Sequence, residues 1–122
     1  MILLGHPGRN NFDRLGHILC GALSFPFLEY LQKVDTRHYI FNGLLTFLAI
    51  SGIAALYEEF EWAVIQITEA QTGLTYVGMQ GDEWDAQADM FCCSFGALTG
   101  IVLYYSKDFF DRVMRSILRK VN

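Results

Sequence analysis

The chain has 122 residues, a formal net charge of −4 and a mean hydropathy of +0.26, and 52% of its residues are hydrophobic. This length corresponds to one domain. Basic residues cluster only in a short C-terminal segment, which excludes a nucleic-acid-binding protein. The three cysteines form no CxxC pair and lie in apolar surroundings, which is typical of reduced packing residues. Neither a redox role nor a thiol ligand is excluded for Cys20, Cys92 and Cys93.

The first apolar segment predicts a helix over about residues 12–32. Between Leu15 and Gln32 the sequence has one acid, Glu29, and no base. A helix of this length rises roughly 27 Å, close to the thickness of the hydrocarbon core of a bilayer. Pro26 is expected to kink it, which membrane helices tolerate when neighbouring groups satisfy the freed carbonyl.

The second segment is the clearest membrane-spanning signal. Residues 39–57 carry no formal charge, and the helical pattern of apolar residues continues to about residue 69. A helix of this length exceeds roughly 40 Å, so we expect it to tilt or to project into the lipid headgroups. Residues 71–81 follow as a predicted loop with three glycines.

The third predicted helix covers residues 82–106 and has no charge between Asp89 and Lys107. Residues 107–122 carry five bases and two acids that alternate with apolar residues. This pattern predicts an amphipathic helix on an anionic membrane surface. The fold class is therefore all-α: a polytopic membrane bundle of about three transmembrane helices in a single domain, 1–122, with a C-terminal amphipathic basic helix.

Charge asymmetry predicts the orientation of these helices. Three spans place the 33–38 connection and the basic tail on one side of the membrane, and the 71–81 loop on the other. The first side carries Lys33, Arg37 and the five tail bases. By the positive-inside rule we expect the C-terminus in the cytoplasm and the acidic side outside.

Acidic side chains from all three helices fall at comparable depth on the outer side. Residues 39–106 contain eight acids and no lysine or arginine. Below the acids, small residues allow the helices to approach each other closely, which turns the polar groups inward; these residues are Gly21, Ser24, Ser51, Ala55, Cys92, Gly96 and Gly100. The groups expected to converge are Asp13, His17, Glu58, Glu61, Asp82, Asp85 and Asp89.

Several of these residues also have ordinary structural interpretations. Asp82 and Asp85 suit the start of a helix, where they would cap it and interact with its dipole. Asp13 is compatible with an interfacial helix start, and a histidine such as His17 is often simply hydrogen-bonded in an interior. Asp89 lies two turns inside its helix, where neither capping nor the dipole explains it. Arg14 is expected to neutralise one acid, but it cannot neutralise six.

Buried carboxylates require protons, partner side chains or metal ions, because removing a charge from water is costly. An oxygen-rich set favours Mg, Ca or Mn, with Zn or Fe if His17 binds. Glu58 and Glu61 do not form the Glu-x-x-His pair of di-iron bundles. Three functions stay open: a divalent metal site, structural or hydrolytic; a cation or proton transport component; and an accessory subunit of a homo-oligomer or larger membrane complex. No catalytic residue is assigned, and whether the protein is an enzyme stays open.

Three ordered motifs carry a family resemblance: FDRLGH at 12–17, LYEEFEW at 56–62 and GMQGDEWDAQADM at 78–90. They resemble the YjdF-type family of predicted bacterial inner-membrane proteins, which has no established biochemical function. The resemblance implies a polytopic protein of the cytoplasmic membrane, and its motif acids and histidine are the seven residues named above. Relatives have further hydrophobic segments ahead of the first motif. We therefore expect a short member, a fragment or a subunit completed by a partner.

Overall fold

The computed structural model describes residues 11–68, 82 and 84–121. Within these residues the regular structure is entirely helical, which confirms the all-α fold class. The helices are α1 (Phe12–Ala22), α2 (Ser24–Val34), α3 (Tyr39–Ile67) and α4 (Asp85–Val121). The predicted 71–81 loop, Glu69, Glu83 and Asn122 lie outside the described residues.

The first apolar segment forms two helices, α1 and α2, that are divided at Leu23. Leu23 keeps a helical backbone, but its N–H donates to the carbonyl of Cys20 at 3.1 Å, three residues back. Pro26 has no N–H to donate to the carbonyl of Ala22, four residues earlier, and so the regular ladder is interrupted here. The division therefore lies one turn before the proline.

The helices α3 and α4 are long, with 29 and 37 residues. At 1.5 Å per residue they extend about 44 Å and about 55 Å. Judged by length and composition, Tyr39–Ile67 and Asp85–Lys120 are the two helices in the described part of the chain that are long and apolar enough to cross a membrane. The helix α4 passes through Lys107 without a break, so the basic segment continues the preceding helix.

The helix α4 contacts all three other helices, and its most extensive contact is with α1. A Cβ atom on Gly21 would meet the carbonyl oxygen of Cys93 and lie 2.7 Å from the backbone nitrogen of Ala97. A Cβ atom on Gly96 would meet the carbonyl oxygen of Ile18. These contacts confirm that the predicted small-residue faces of the first and third segments meet. Close backbone packing of this kind drives association of helices in membranes.

A polar network joins the α2–α3 connection to the middle of α4. The Tyr39 hydroxyl donates to Asp108 Oδ2 at 2.6 Å, and the Tyr105 hydroxyl donates to the Tyr39 carbonyl at 2.7 Å. Within the connection, a hydrogen bond with the His38 ring lowers the pKa of Asp35 to about 2. The Gln32 side chain of α2 also donates to the Tyr39 carbonyl, at 2.6 Å, so the network joins the end of α2 and the start of α3 to the middle of α4. The end of α3 and the start of α4 lie beside the start of α1.

The glycine contact generates the first prediction. Gly21→Ala is expected to destabilise the protein by about 1–3 kcal/mol, because the new methyl group must displace backbone atoms of α4. The measurement is the free energy of unfolding of the detergent-solubilised protein in a denaturant titration.

The matched control is Gly52→Ala on α3, where a Cβ atom meets nothing within 4 Å. This substitution should be neutral or slightly stabilising, since alanine has the higher helix propensity. Equal losses in the two variants would contradict the tight contact.

Candidate functional site

Charged and polar side chains are buried at the end of the bundle where α1 and α4 begin and α3 passes residue 58. Asp89 is 1% exposed, Arg14 is 3% exposed, and His17 and Glu58 are each 8% exposed. In each helix, the helical repeat places the polar residues of the cluster on one face. On α1, Asp13 and His17 are one turn apart on one face, and on α4 Asp85 and Asp89 are also one turn apart.

His17, Glu58 and Asp89 bring one side chain from each of three helices to a single point. The Nε2 atom of His17 lies 3.2 Å from Oε1 of Glu58. One ligand atom from each of the three residues lies within 4.8 Å of the others. We call this group the His17–Glu58–Asp89 triad. The His17 ring also makes an edge contact with the Tyr57 ring, at 5.7 Å between centroids, which helps to fix its orientation.

Two carboxylate oxygens in the triad lack a hydrogen bond. Oε1 of Glu58 and Oδ1 of Asp89 are fully buried and have no hydrogen-bond partner among the residues that the structure describes. Buried polar atoms are nearly always satisfied, and leaving one unsatisfied costs about 1–3 kcal/mol, more if it is charged. A proton or a bound cation between these two oxygens would remove this cost.

Arg14 provides positive charge on the other side of Asp89. Its guanidinium nitrogens lie 2.8 Å from Oδ2 of Asp82, 3.9 Å from Oδ1 of Asp85 and 3.8 Å from Oδ1 of Asp89. Asp82 also accepts a hydrogen bond from the backbone N–H of Trp84 at 3.0 Å. It therefore stabilises the turn before α4 as well as the ion pair. Because α4 begins at Asp85 and not at the predicted residue 82, Asp82 does not occupy the N-cap position.

Asp13 and Glu61 lie at the rim of the cluster. Asp13 Oδ1 is 3.8 Å from His17 Nε2, and Asp13 forms a second group within 4.8 Å with Asp85 and Asp89. Glu61 is half-buried and hydrogen-bonded to Tyr57. Five of the seven predicted site residues thus belong to two groups that share Asp89. Glu59, the neighbour of Glu58, is exposed.

The charges in this cluster do not balance. Six acids of the predicted set surround one arginine in the described part of the cluster; they are Asp13, Glu58, Glu61, Asp82, Asp85 and Asp89. Arg14 lies on the α4 side, toward Asp82 and Asp85. Carboxylates this close in a low-dielectric interior are stable only with a proton or a cation between them. The triad offers one imidazole nitrogen and two carboxylate groups for this purpose.

An adjoining groove was not predicted from the sequence. It has a volume of about 350 Å³ and lies between α1 and α3, with Cys93 of α4 also contributing to its lining. Its α1 wall follows one helical face, and so does its α3 wall, which has Ile50, Ile53, Ala54 and Tyr57. The spacing is visible in the sequence, but it also fits residues that simply pack together. His17 and Asp13 lie in the wall of the groove.

The position of Arg14 gives the second prediction. Arg14→Gln should lower the free energy of unfolding by about 3–5 kcal/mol, because it leaves buried carboxylates without their positive partner. The measurement is denaturant unfolding in detergent, and adding Asp82→Asn to this variant should recover part of the loss.

The control is Arg37→Gln, at a position where the side chain is 83% exposed although it contacts Asp35. Exposed ion pairs contribute little, so this variant should unfold like the wild type. An Arg14→Gln variant as stable as the Arg37→Gln variant would show that the buried ion pairs are dispensable.

The chain is similar to known proteins along most of its length. Residues 2–108 match the family described as "Predicted membrane protein (DUF2238)". The chain is also 35% identical over 98 residues to inner membrane protein YjdF of Escherichia coli (strain K12), which confirms the resemblance carried by the motifs. The alignment covers 77% of this chain and 46% of the relative, so the chain spans about half the length of that relative. No solved structure gives a significant match. Because the family match extends over most of the sequence, the chain belongs to the DUF2238 family of predicted membrane proteins.

Proposed function

We propose that this protein binds one divalent metal ion in the membrane through His17, Glu58 and Asp89. The observation that carries the proposal is that two fully buried carboxylate oxygens, Glu58 Oε1 and Asp89 Oδ1, accept no hydrogen bond from the described residues, although Oε1 lies 3.2 Å from Nε2 of His17. A cation between them would satisfy both oxygens and offset the excess of acids. The ion would be structural, joining three helices, or hydrolytic, activating a water molecule.

The charges favour a single ion. A second ion at Asp13, Asp85 and Asp89 would share Asp89 with the first ion, and two of its ligands would lie within 4 Å of the Arg14 guanidinium, whereas the triad has one such ligand, Asp89. Like charges at this distance repel strongly in a low-dielectric site. In this proposal Arg14 holds Asp82 and Asp85, and Asp13 and Glu61 supply outer carboxylates.

The ligand atoms of the triad indicate which metals it would prefer. Mg and Ca take oxygen ligands, whereas an imidazole nitrogen suits Zn and Fe, and carboxylates suit Mn. A triad of one imidazole and two carboxylates therefore favours Mn, Fe or Zn over Mg and Ca.

A cation or proton transport component is the second candidate function. The carboxylates lead from partly exposed Asp13 to buried Asp89, which is a feature of ion pathways. Below Asp89, however, the backbones of α1 and α4 touch at Gly21 and Gly96. A pathway would need a second chain to continue past this contact, so we favour the metal site.

The proposed membrane arrangement has three spans: α1 with α2, then α3, then the first part of α4. The acidic cluster would lie near the outer leaflet and the C-terminus in the cytoplasm. The name of the E. coli relative places that protein in the inner membrane, and we propose the same membrane here. Because α4 continues unbroken through Lys107, residues 107–121 would project from the cytoplasmic side rather than lie along the membrane surface as a separate helix. Their exposed apolar side chains are Phe109, Phe110, Val113, Met114, Ile117 and Leu118.

Metal content is the direct test of the site. Wild-type protein purified without chelator should carry about one divalent ion per chain by elemental analysis. Glu58→Gln and Asp89→Asn should each lower the affinity of the protein for the metal ion. The loss should be at least roughly 10–100-fold, which is the loss seen when a residue that only hydrogen-bonds to a metal ligand is removed.

Glu59→Gln is the matched control, since Glu59 is the exposed neighbour of Glu58. This variant should retain the metal at the wild-type level. Equal metal content in Glu58→Gln, Asp89→Asn and wild type, or an unfolding midpoint of the wild type that chelator does not change, would eliminate the proposed site.

Orientation is tested separately. A fluorescent reporter that matures only in the cytoplasm, fused after Asn122, should be bright, because the bases beyond Lys107 are expected to remain inside. A periplasmic phosphatase fused at the same position should be inactive. The reverse result would invert the proposed topology without affecting the metal measurement.

A further inference from the structure

The groove between α1 and α3 is aligned along the helices. Its α1 wall runs from Asp13 through Gly16 and Cys20 to Leu23, a distance of about 15 Å at 1.5 Å per residue. The α3 wall runs from Ile50 to Tyr57 in the opposite chain direction. Tyr57 therefore lies at the same end as Asp13, and Ile50 lies at the same end as Leu23.

The walls of the groove open away from the bundle. Ile53 is 63% exposed, Leu23 is 58% exposed and Tyr57 is 50% exposed. Two of these residues lie in α3, a helix that is long and apolar enough to cross a membrane. In a bilayer, such an open apolar surface at this depth faces hydrocarbon rather than water. The volume of about 350 Å³ is within the range of roughly 300–1,000 Å³ that is usual for ligand pockets.

One end of the groove is polar and acidic. His17 and Asp13 line that end, and the Asp13 side chain is 35% exposed, so its carboxylate is accessible. Behind it lie Glu58, Asp85 and Asp89, with Arg14 as the basic residue in the described part of this cluster. Even one divalent ion would leave the six acids in excess. This end therefore complements a positively charged headgroup and repels an anionic one.

We propose that the groove binds one acyl chain of a membrane phospholipid with a primary-amine headgroup, and that the ammonium group contacts Asp13. The chain lies between α1 and α3, along the line from Tyr57 to Ile50. The assignment goes beyond the metal site. The two sites share His17, but Glu58 and Asp89 do not line the groove, so their substitution separates metal binding from phospholipid binding.

Gly16 allows the groove to be filled without disturbing the fold. A Cβ atom at Gly16 meets nothing within 4 Å, although the residue lines the groove. Gly16→Leu therefore places an apolar side chain where the acyl chain would lie. Gly52→Leu is the matched control, because Gly52 has equally open surroundings and does not line the groove.

The experiment measures phospholipid retained by the full chain after reconstitution in vesicles of equal parts phosphatidylethanolamine and phosphatidylglycerol, detergent extraction and native mass spectrometry. Wild type and Gly52→Leu should keep about one phospholipid per chain, enriched in phosphatidylethanolamine, and Gly16→Leu should retain it at least roughly tenfold less. Asp13→Asn should keep a phospholipid but lose the preference for the amine headgroup.

Additional variants separate loss of binding from loss of folding and from loss of metal. Ile53→Trp fills the groove from α3 and should reproduce the effect of Gly16→Leu, while an unchanged unfolding midpoint shows that the fold is intact. Glu58→Gln should retain the phospholipid even without metal. The proposal is overturned if wild type holds no stoichiometric phospholipid, if it holds phosphatidylglycerol equally well, or if both groove-filling variants bind like wild type.

Discussion

The buried ion pairs of Arg14 are the interaction on which the rest of the site depends. A guanidinium that is almost fully buried, between a carboxylate before α4 and two carboxylates within it, joins α1 to α4 by charge. Because it neutralises only part of the acidic cluster, it divides the cluster into a compensated side and an uncompensated side. Asp89 lies between the two sides, because it contacts Arg14 and also belongs to the His17–Glu58–Asp89 triad, whereas Glu58 contacts only the His17 ring among the basic groups that the structure describes.

Helix packing determines which carboxylates of the cluster lie beside Arg14. The tyrosine and aspartate network at the opposite end fixes α2 and α3 against α4, and the close glycine contact fixes α1. The helices α1 and α2, divided at Leu23, both pack on α4. The contact of α1 with α4 is far more extensive than its contact with α3, and the groove lies on the side facing α3.

The helices and the shared acidic cluster could be predicted from the sequence, because both follow from the composition and spacing of its residues. The uncharged run from Tyr39 predicted a long apolar helix, and the small residues Gly21 and Gly96 predicted close packing. The acids at one end of each segment predicted a shared cluster, since antiparallel connection returns the chain to the same side. The central position of Arg14 was not predictable, because one base among many acids has no preferred partner until the helices have a register. The division at Leu23 and the groove likewise depend on how the helices are placed relative to each other, which the spacing of apolar residues in the sequence does not predict.

In both α1 and α4, the charged residue of the ion pair precedes the contact glycine by the same number of residues. Arg14 precedes Gly21 by seven residues, and Asp89 precedes Gly96 by seven residues. The two helices run parallel, so the glycine contact and the ion pair lie the same two turns apart on both. One residue inserted between charge and glycine in either helix would rotate the charged side chain by about 100° around its axis. The two glycines would still touch, but the guanidinium would point away from the carboxylate. The ion pair therefore depends on the number of residues in this interval, whatever their type.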